Sequence, residues 1–189
     1  MSLLHSDQTF SKLNPIQYSL ESGDYENCIF KHCDFSSVNF SKFKFIDCEF
    51  QECNFSLALI SNTSFQDVHF TDCKMLGLRF DNANQFGLSL HFENCTLNHS
   101  SFYQCKLPKI KFIGSQLQEV DFTESDLSDG LFDTCDLMHA VFHQTNLEKT
   151  DFRTALHFQI DPEKNKIKKA KFSVNGLVGL LNKYQIQID

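Results

Sequence analysis

The stretch Phe122-Thr123-Glu124-Ser125-Asp126-Leu127-Ser128-Asp129-Gly130-Leu131-Phe132 decides the fold, because its spacing is neither helical nor strand-like. Phe122, Leu127 and Phe132 recur every fifth residue. Counted outward, the frame runs Phe92, Leu97, Phe102, Leu107, Phe112, Leu117, Phe122, Leu127, Phe132, Leu137, Phe142, Leu147 and Phe152. Upstream, shifted by two residues, it runs Phe30, Phe35, Phe40, Phe45, Phe50, Phe55, Ile60, Phe65, Phe70, Met75 and Phe80. In a chain that is 41% hydrophobic, 24 apolar positions out of 24 would arise by chance on the order of once in a billion. The period is real.

Five residues turn an α-helix by about 500°, which leaves no stripe, and odd steps along a strand alternate faces. The chain must therefore turn a corner in every repeat. Four such sides close one square coil, and all repeat centres point inward. The unbroken Phe-Leu alternation after residue 92 then stacks Phe on Phe along two walls and Leu on Leu along the other two, giving every layer the same interior volume.

A second inward column lies two residues before each centre. It holds mostly small residues and all eight cysteines: Cys28, Cys33, Cys48, Cys53, Cys73, Cys95, Cys105 and Cys135. Asp or Asn often precedes the centre, as at Asp34, Asn39, Asn54, Asp121, Asp126, Asp136, Asn146 and Asp151. With this pattern residues 20–156 resemble the pentapeptide-repeat family. That resemblance implies an all-β fold, a right-handed quadrilateral β-helix of six or so coils and roughly 30 Å length at about 4.8 Å per coil.

Three segments follow. Residues 1–19, with Phe10, Leu13, Ile16 and Tyr18, are expected to cap the first coil. Residues 20–156 form the solenoid, with a frame break at about 81–91. Residues 157–189 form a C-terminal cap and dimerisation segment, the period stopping at Asp161-Pro162 because Pro cannot continue a ladder. Ser173 is placed as N-cap of a short helix with Val174, Leu177, Val178 and Leu181 on one face, and Gln185-Ile186-Gln187-Ile188 alternates like a strand. Leu177, Leu180, Leu181, Ile186 and Ile188 are the dimer-interface candidates.

Most enzyme chemistry is disfavoured. Cysteines in the inward column behave as small buried hydrophobes kept reduced in a cytosol. The eight His are scattered over different walls, with none in the inward column and no metal or triad spacing, so no metal ligand, cofactor site or catalytic residue is assigned. There is no glycine-rich phosphate loop. No apolar run spans a membrane and no leader begins the chain, so a cytoplasmic protein is expected. The net charge of −7 argues against nucleic acid as a ligand and allows a basic partner.

Acid concentrates between Phe112 and Glu148, where Glu119, Asp121, Glu124, Asp126, Asp129, Asp133, Asp136 and Glu148 occur without a single Lys or Arg. With four repeats to a coil these fall on all four walls, an acidic collar that is either a partner surface or, for the residues preceding a centre, turn-forming structure. Asn84, Gln85 and Phe86, in the frame break, are a second candidate contact.

The length, the nearly unbroken coil and the closing segment Ile160-Asp161-Pro162-Glu163-Lys164-Asn165-Lys166-Ile167 resemble the gyrase-protection branch of the family, the Qnr, MfpA and McbG types, and the McbG type most closely. That resemblance implies a homodimer that binds a bacterial type II topoisomerase, DNA gyrase or topoisomerase IV, by DNA mimicry and relieves a quinolone or microcin poison. A two-residue insertion stands where Qnr proteins project a longer loop, which bears on quinolone protection more than on topoisomerase binding. The alternative is a repeat scaffold with another protein partner.

Overall fold

The computed structural model describes residues 3–14 and 20–187. Among these residues eleven short strands pair, all in parallel. β1 (Leu3–Ser6), β3 (Gly23–Glu26), β5 (Lys44–Ile46) and β7 (Ser64–Gln66) form one wall. β2 (Thr9–Ser11), β4 (Ile29–Lys31), β6 (Glu49–Gln51), β8 (Val68–Thr71), β9 (Leu90–Glu93), β10 (Lys111–Ile113) and β11 (Leu131–Asp133) form a second. Elsewhere single residues pair one coil apart, as Asn39 with Leu59 and Ser101 with Asp121.

Most corners are made two residues after a centre, where the backbone enters the left-handed region. Ser37 (φ 57°), Leu57 (59°), Glu119 (56°) and Glu124 (58°) are examples, and few such corners are glycine. That conformation costs an ordinary residue roughly 1 kcal/mol. Coil stacking offsets it: the corner N–H donates to a carbonyl of the next coil, Ser37 to Ser56 at 3.1 Å and Glu124 to His143 at 2.8 Å. Many corners also close with a bond from residue i+3 to the centre carbonyl, such as Val38 to Phe35 at 3.1 Å. A left-handed third residue is what a type II turn needs.

Strand-bearing corners after β4, β6 and β9 are closed differently, and this explains the cysteines. The Cys33 and Cys53 N–H groups each meet the thiol of the next coil, Cys53 and Cys73, at 3.4 Å, and Cys95 N–H meets Ser115 Oγ at 3.1 Å. The Cys53, Cys73 and Cys95 thiols in turn donate to the carbonyls of Phe30, Phe50 and Phe70. Seven of the eight cysteines follow a strand; Cys105 alone follows a turn-closed corner. All eight are buried and unpaired.

The centres pack as rings. On the β2–β11 wall Phe10, Phe30, Phe50, Phe70, Phe92, Phe112, Phe132, Phe152 and Phe172 stack with centroids 4.6–5.5 Å apart. Neighbouring walls meet edge to face, as Phe122 with Phe132 at 5.8 Å and 90°. The interior is a single apolar cluster.

The column extends the coil beyond both expected ends. Residues 3–14 carry the coil on: β1 and β2 pair in register with β3 and β4, and His5, at a centre position, stacks on Tyr25 at 4.6 Å. Ile16 and Tyr18 lie outside the described residues. At the other end the period lapses at the exposed His157, but the coil register is found again beyond Pro162, with Lys166 pairing Asn146, Lys171 pairing Asp151 and Phe172 stacked on Phe152. A centre N–H donates to the coil that follows, as Phe122 does to Val141. Pro162 stands in the last coil, where no later rung accepts, so its missing N–H costs nothing.

The insertion is narrower than its window. Ser64 still pairs with Asn84, four repeats on, whereas Val68 pairs with Leu90, which is two residues further, so the extra residues lie within 85–89. Phe86 is expelled and is 81% exposed, while Leu88 is buried. Gln85 holds the bulge, its amide donating to the Phe80 and Ala83 carbonyls at 3.0 Å each.

The tail folds over the end of the coil as a short irregular helix whose α-helical turn is α1 (Val178–Leu181). Ser173 Oγ accepts the Gly176 N–H at 3.1 Å, the expected cap. Gly176 and Gly179 are required rather than weakening: a Cβ on Gly179 would sit 2.8 Å from Phe158 Cδ2 and closer still to the Phe158 carbonyl oxygen. The helix therefore docks by its glycines and Leu180, and leaves Val174, Leu177 and Val178 exposed. Residues 185–187 do not form a strand, and Ile188 lies outside the described residues.

Candidate functional site

The interior is filled, so the outside of the coil carries whatever chemistry exists, and its acids divide by position within the repeat. Those preceding a centre are built into the turn. Asp121, Asp126 and Asp136 each accept the N–H two residues on, from Thr123, Ser128 and Met138, at 2.9, 3.0 and 3.1 Å. Asp34, Asn39, Asn54, Asn84, Asn146, Asp151 and Asp161 do the same. This is the Asx turn. Burial would raise the Asp136 carboxyl, but bonds from Gln118 and His157, both 2.7 Å, hold it below the usual carboxylate range.

Acids two residues after a centre have no such duty. Glu119, Glu124 and Asp129 occupy three successive corners and are exposed. Their vertical neighbours separate them. Asp129 forms an ion pair with Lys149 at 3.4 Å, and Lys106 is the backbone-paired neighbour of Asp126 one coil earlier, with no ion pair between their side chains among the described residues. The absence of bases along the sequence from 112 to 148 therefore does not mean their absence in space. Glu119 faces His99 at 3.3 Å, Glu124 accepts from Gln104 at 2.7 Å, and Asp121 lies between Ser101 and Val141. Arg79, beyond Ser101 on the same wall, is held by both oxygens of Asp81. Asp133 accepts from Thr154 at 2.7 Å. The least opposed acid is thus the wall bearing Asp121 with its two corners, Glu119 and Glu124.

In the frame break, Asn84 donates to Ser64 Oγ at 3.0 Å and accepts from Phe86 N, and Gln85 is spent on carbonyls. Phe86 alone offers an uncommitted side chain. At the C-terminal end the dimer candidates split: Leu177 and Ile186 are 45% and 56% exposed, whereas Leu180 and Leu181 are half-buried. A groove of about 780 Å³ between the last coil and the tail is bordered by Met138, Arg153, Leu156, Asn175 and Val178, and no spacing in the sequence announced it. Burial pushes the Cys48, Cys105 and Cys135 thiols up to about 12, whereas hydrogen bonds from Cys33 and Cys73 lower the buried Cys53.

One placement differs from the expectation that His are scattered. The separation of His69 and His91 is one full coil once the insertion is included, so they are partners in the β8–β9 register with ring centroids 4.6 Å apart.

The sequence model for the pentapeptide repeat region matches residues 24–90 and 88–160. The chain belongs to the pentapeptide-repeat family. No curated protein sequence matches it. Among solved pentapeptide-repeat structures, the chain is similar to full-length QnrB1, described as a plasmid-mediated fluoroquinolone resistance protein, at 16% identity and a TM-score of 0.58. That match covers 97% of this chain and 100% of QnrB1. HetL, described as involved in heterocyst differentiation regulation in the cyanobacterium Nostoc sp. strain PCC 7120, matches at 12% identity and a TM-score of 0.42 over 92% of this chain and 89% of its own. At these identities the likeness is one of fold. Among the described residues no helix is long and apolar enough to cross a membrane.

Proposed function

We propose that this pentapeptide-repeat protein is a non-enzymatic cytoplasmic protein that binds a bacterial type II topoisomerase, DNA gyrase first, in the place of DNA and protects it from a poison of the microcin or quinolone class. The observation that carries the reading is the acid on the wall of Glu119, Asp121 and Glu124: negative charge on a narrow, stiff coil, with Asp121 fixed in a turn, no Lys or Arg in ion-pair contact with the three among the described residues, and only Arg79, itself held by Asp81, acting on Asp121. A saddle lined with Lys and Arg to neutralise DNA phosphates presents the complementary field. The match to QnrB1 along nearly the whole of both chains supports the same kind of use. The closing segment, residues 160–167, supports a protein of the McbG type in this reading. The bulge at residue 86 is compact, and microcin is the more fitting poison.

The exposed tail supports a homodimer. Val174, Leu177, Val178 and Ile186 leave an apolar surface uncovered at the end of the coil, and a second copy covers it by symmetry. The test of the function is supercoiling and poison-induced cleavage by purified gyrase across a wide range of this protein. Protection or inhibition is expected, and both activities unchanged would end the proposal. Sedimentation equilibrium checks the dimer.

A further inference from the structure

Outside the acidic wall, one cluster has the composition of a metal centre. Asp67 stands at the left-handed corner before β8 (φ 52°), two residues from His69. His91 stands opposite His69 on β9, in register across the coil boundary. The Nε2 atoms of both imidazoles lie 3.7 Å from the same carboxylate oxygen, Asp67 Oδ1, and the three donor atoms all lie within 4.8 Å of one another. For bonds of about 2.0–2.1 Å the edge of a tetrahedral zinc site is about 3.4 Å. The two carboxylate–imidazole separations are already within a few tenths of an ångström of that edge. Side-chain rotation of the exposed Asp67 and His69 can close the third.

We infer that Asp67, His69 and His91 form a binding site for a late divalent transition-metal ion, Zn²⁺ by chemistry, that clamps the coil before the insertion to the coil after it. Two imidazoles and a carboxylate select Zn²⁺ and its neighbours over Mg²⁺ or Ca²⁺, which prefer all-oxygen shells. A shallow recess of about 200 Å³ bordered by Thr71, Glu93, Lys111 and Ile113 adjoins the two imidazoles, and the exposed Asp67 and His69 leave the fourth position open to water. Glu49 and Lys111 continue the register on either side, one of each sign. His91 Nδ1 is buried without a hydrogen-bond partner, so the ring lacks the outer-shell acceptor that fixes a tautomer. That omission weakens metal sites by about 10- to 100-fold, which makes this an exchangeable site rather than a permanent one. The location gives it a use: residues 85–89 are where the frame slips between the two coils, and β8 and β9 are the strands that meet across that slip.

The test is titration of the full chain with Zn²⁺, with His69→Ala, His91→Ala and Asp67→Asn beside the wild type and His32→Ala as control. One Zn²⁺ per chain, a Zn²⁺-dependent rise in Tm, and at least tenfold weaker binding in each of the two His variants but not in His32→Ala are expected. Co²⁺ reports the ligand type, since nitrogen and oxygen ligation gives d–d bands without thiolate charge transfer, separating this site from the eight cysteines. No binding, binding undiminished in the His69→Ala/His91→Ala double variant, or a thiolate band would each overturn the assignment.

Discussion

Reversing charge at Glu119 and Glu124 separates the acidic wall from the rest of the collar. Both carboxylates are exposed corner groups that close no turn; their polar contacts are single side-chain ones with His99 and Gln104. Glu119→Lys and Glu124→Lys should therefore leave stability within about 0.5 kcal/mol. Against a basic partner surface the change is larger. Opposite unit charges about 4 Å apart in water interact by about 1 kcal/mol, reversal doubles the change, and screening at physiological salt removes part of it. The net is about 1–1.5 kcal/mol, or roughly tenfold in Kd per site and a hundredfold for the double variant. Asp126→Lys is the contrast. It deletes the acceptor of the Ser128 N–H and the Asn146 amide, at 3.0 and 2.9 Å, costing about 2 kcal/mol and a Tm loss of roughly 4–8 °C. Asp126→Asn, which keeps the acceptor, should recover most of that. Gyrase affinity by surface plasmon resonance and Tm by scanning calorimetry read the two effects separately. If the double corner variant bound like the wild type, the wall would be removed from the function; if Asp126→Lys kept its Tm, the turn account would be refuted.

Phe122→Ala empties a ring enclosed by Phe102, Phe112, Phe132 and Phe142 at 5.1–5.9 Å, and should cost about 3–5 kcal/mol in urea denaturation. Gly179→Ala drives a Cβ into Phe158 and should lift the tail, making residues 173–187 accessible to limited proteolysis and, in the dimer reading, yielding monomer by sedimentation. Bonds from Arg153 hold the Asp151 carboxyl down to about 2. A depressed carboxylate contributes stability that is present above its unfolded value near 4 and lost as pH falls toward 2, so the wild type should lose more stability over that window than Asp151→Asn, measured by urea midpoints.

The coil was legible because a packed interior demands one residue type at one spacing, and Phe122, Leu127 and Phe132 already show it. Its ends were not. His5 in a centre position hides the first repeats, although Phe10 and Tyr25 keep the frame, and Pro162 reads as a stop unless it is known to lie in the last rung, where no partner waits for its N–H. The tail glycines read as helix weakness because close approach to Phe158 has no signature along the chain. The candidate sites failed for a related reason. A count along the sequence from 112 to 148 finds no base, yet vertical neighbours lie a whole coil away, outside that window: Lys149 forms an ion pair with Asp129, and Lys106 is the backbone-paired neighbour of Asp126. His69 and His91 were missed because their spacing equals one coil only across the insertion.

These vertical columns also say which acids the fold itself explains. An Asp before a centre closes a turn, and Asn or Ser replaces it there freely, as Asn39, Asn54 and Ser101 do. Such residues are chosen by the backbone, whatever the protein binds. The corner two residues after a centre obeys no such rule: it holds Ser37, Lys42, Leu57, His99, Gln104 and Thr134 in the same left-handed conformation, its N–H satisfied by the next coil in each case where that bond is formed. A position that accepts Lys, Leu and His alike is not selected by the coil. The succession Glu119, Glu124 and Asp129 therefore needs a reason outside the fold, and Lys149 already answers Asp129. The two glutamates left over, with Asp121 between them, are where a basic partner has most to gain, and Glu119 and Glu124 are where a substitution changes binding with least disturbance to the coil.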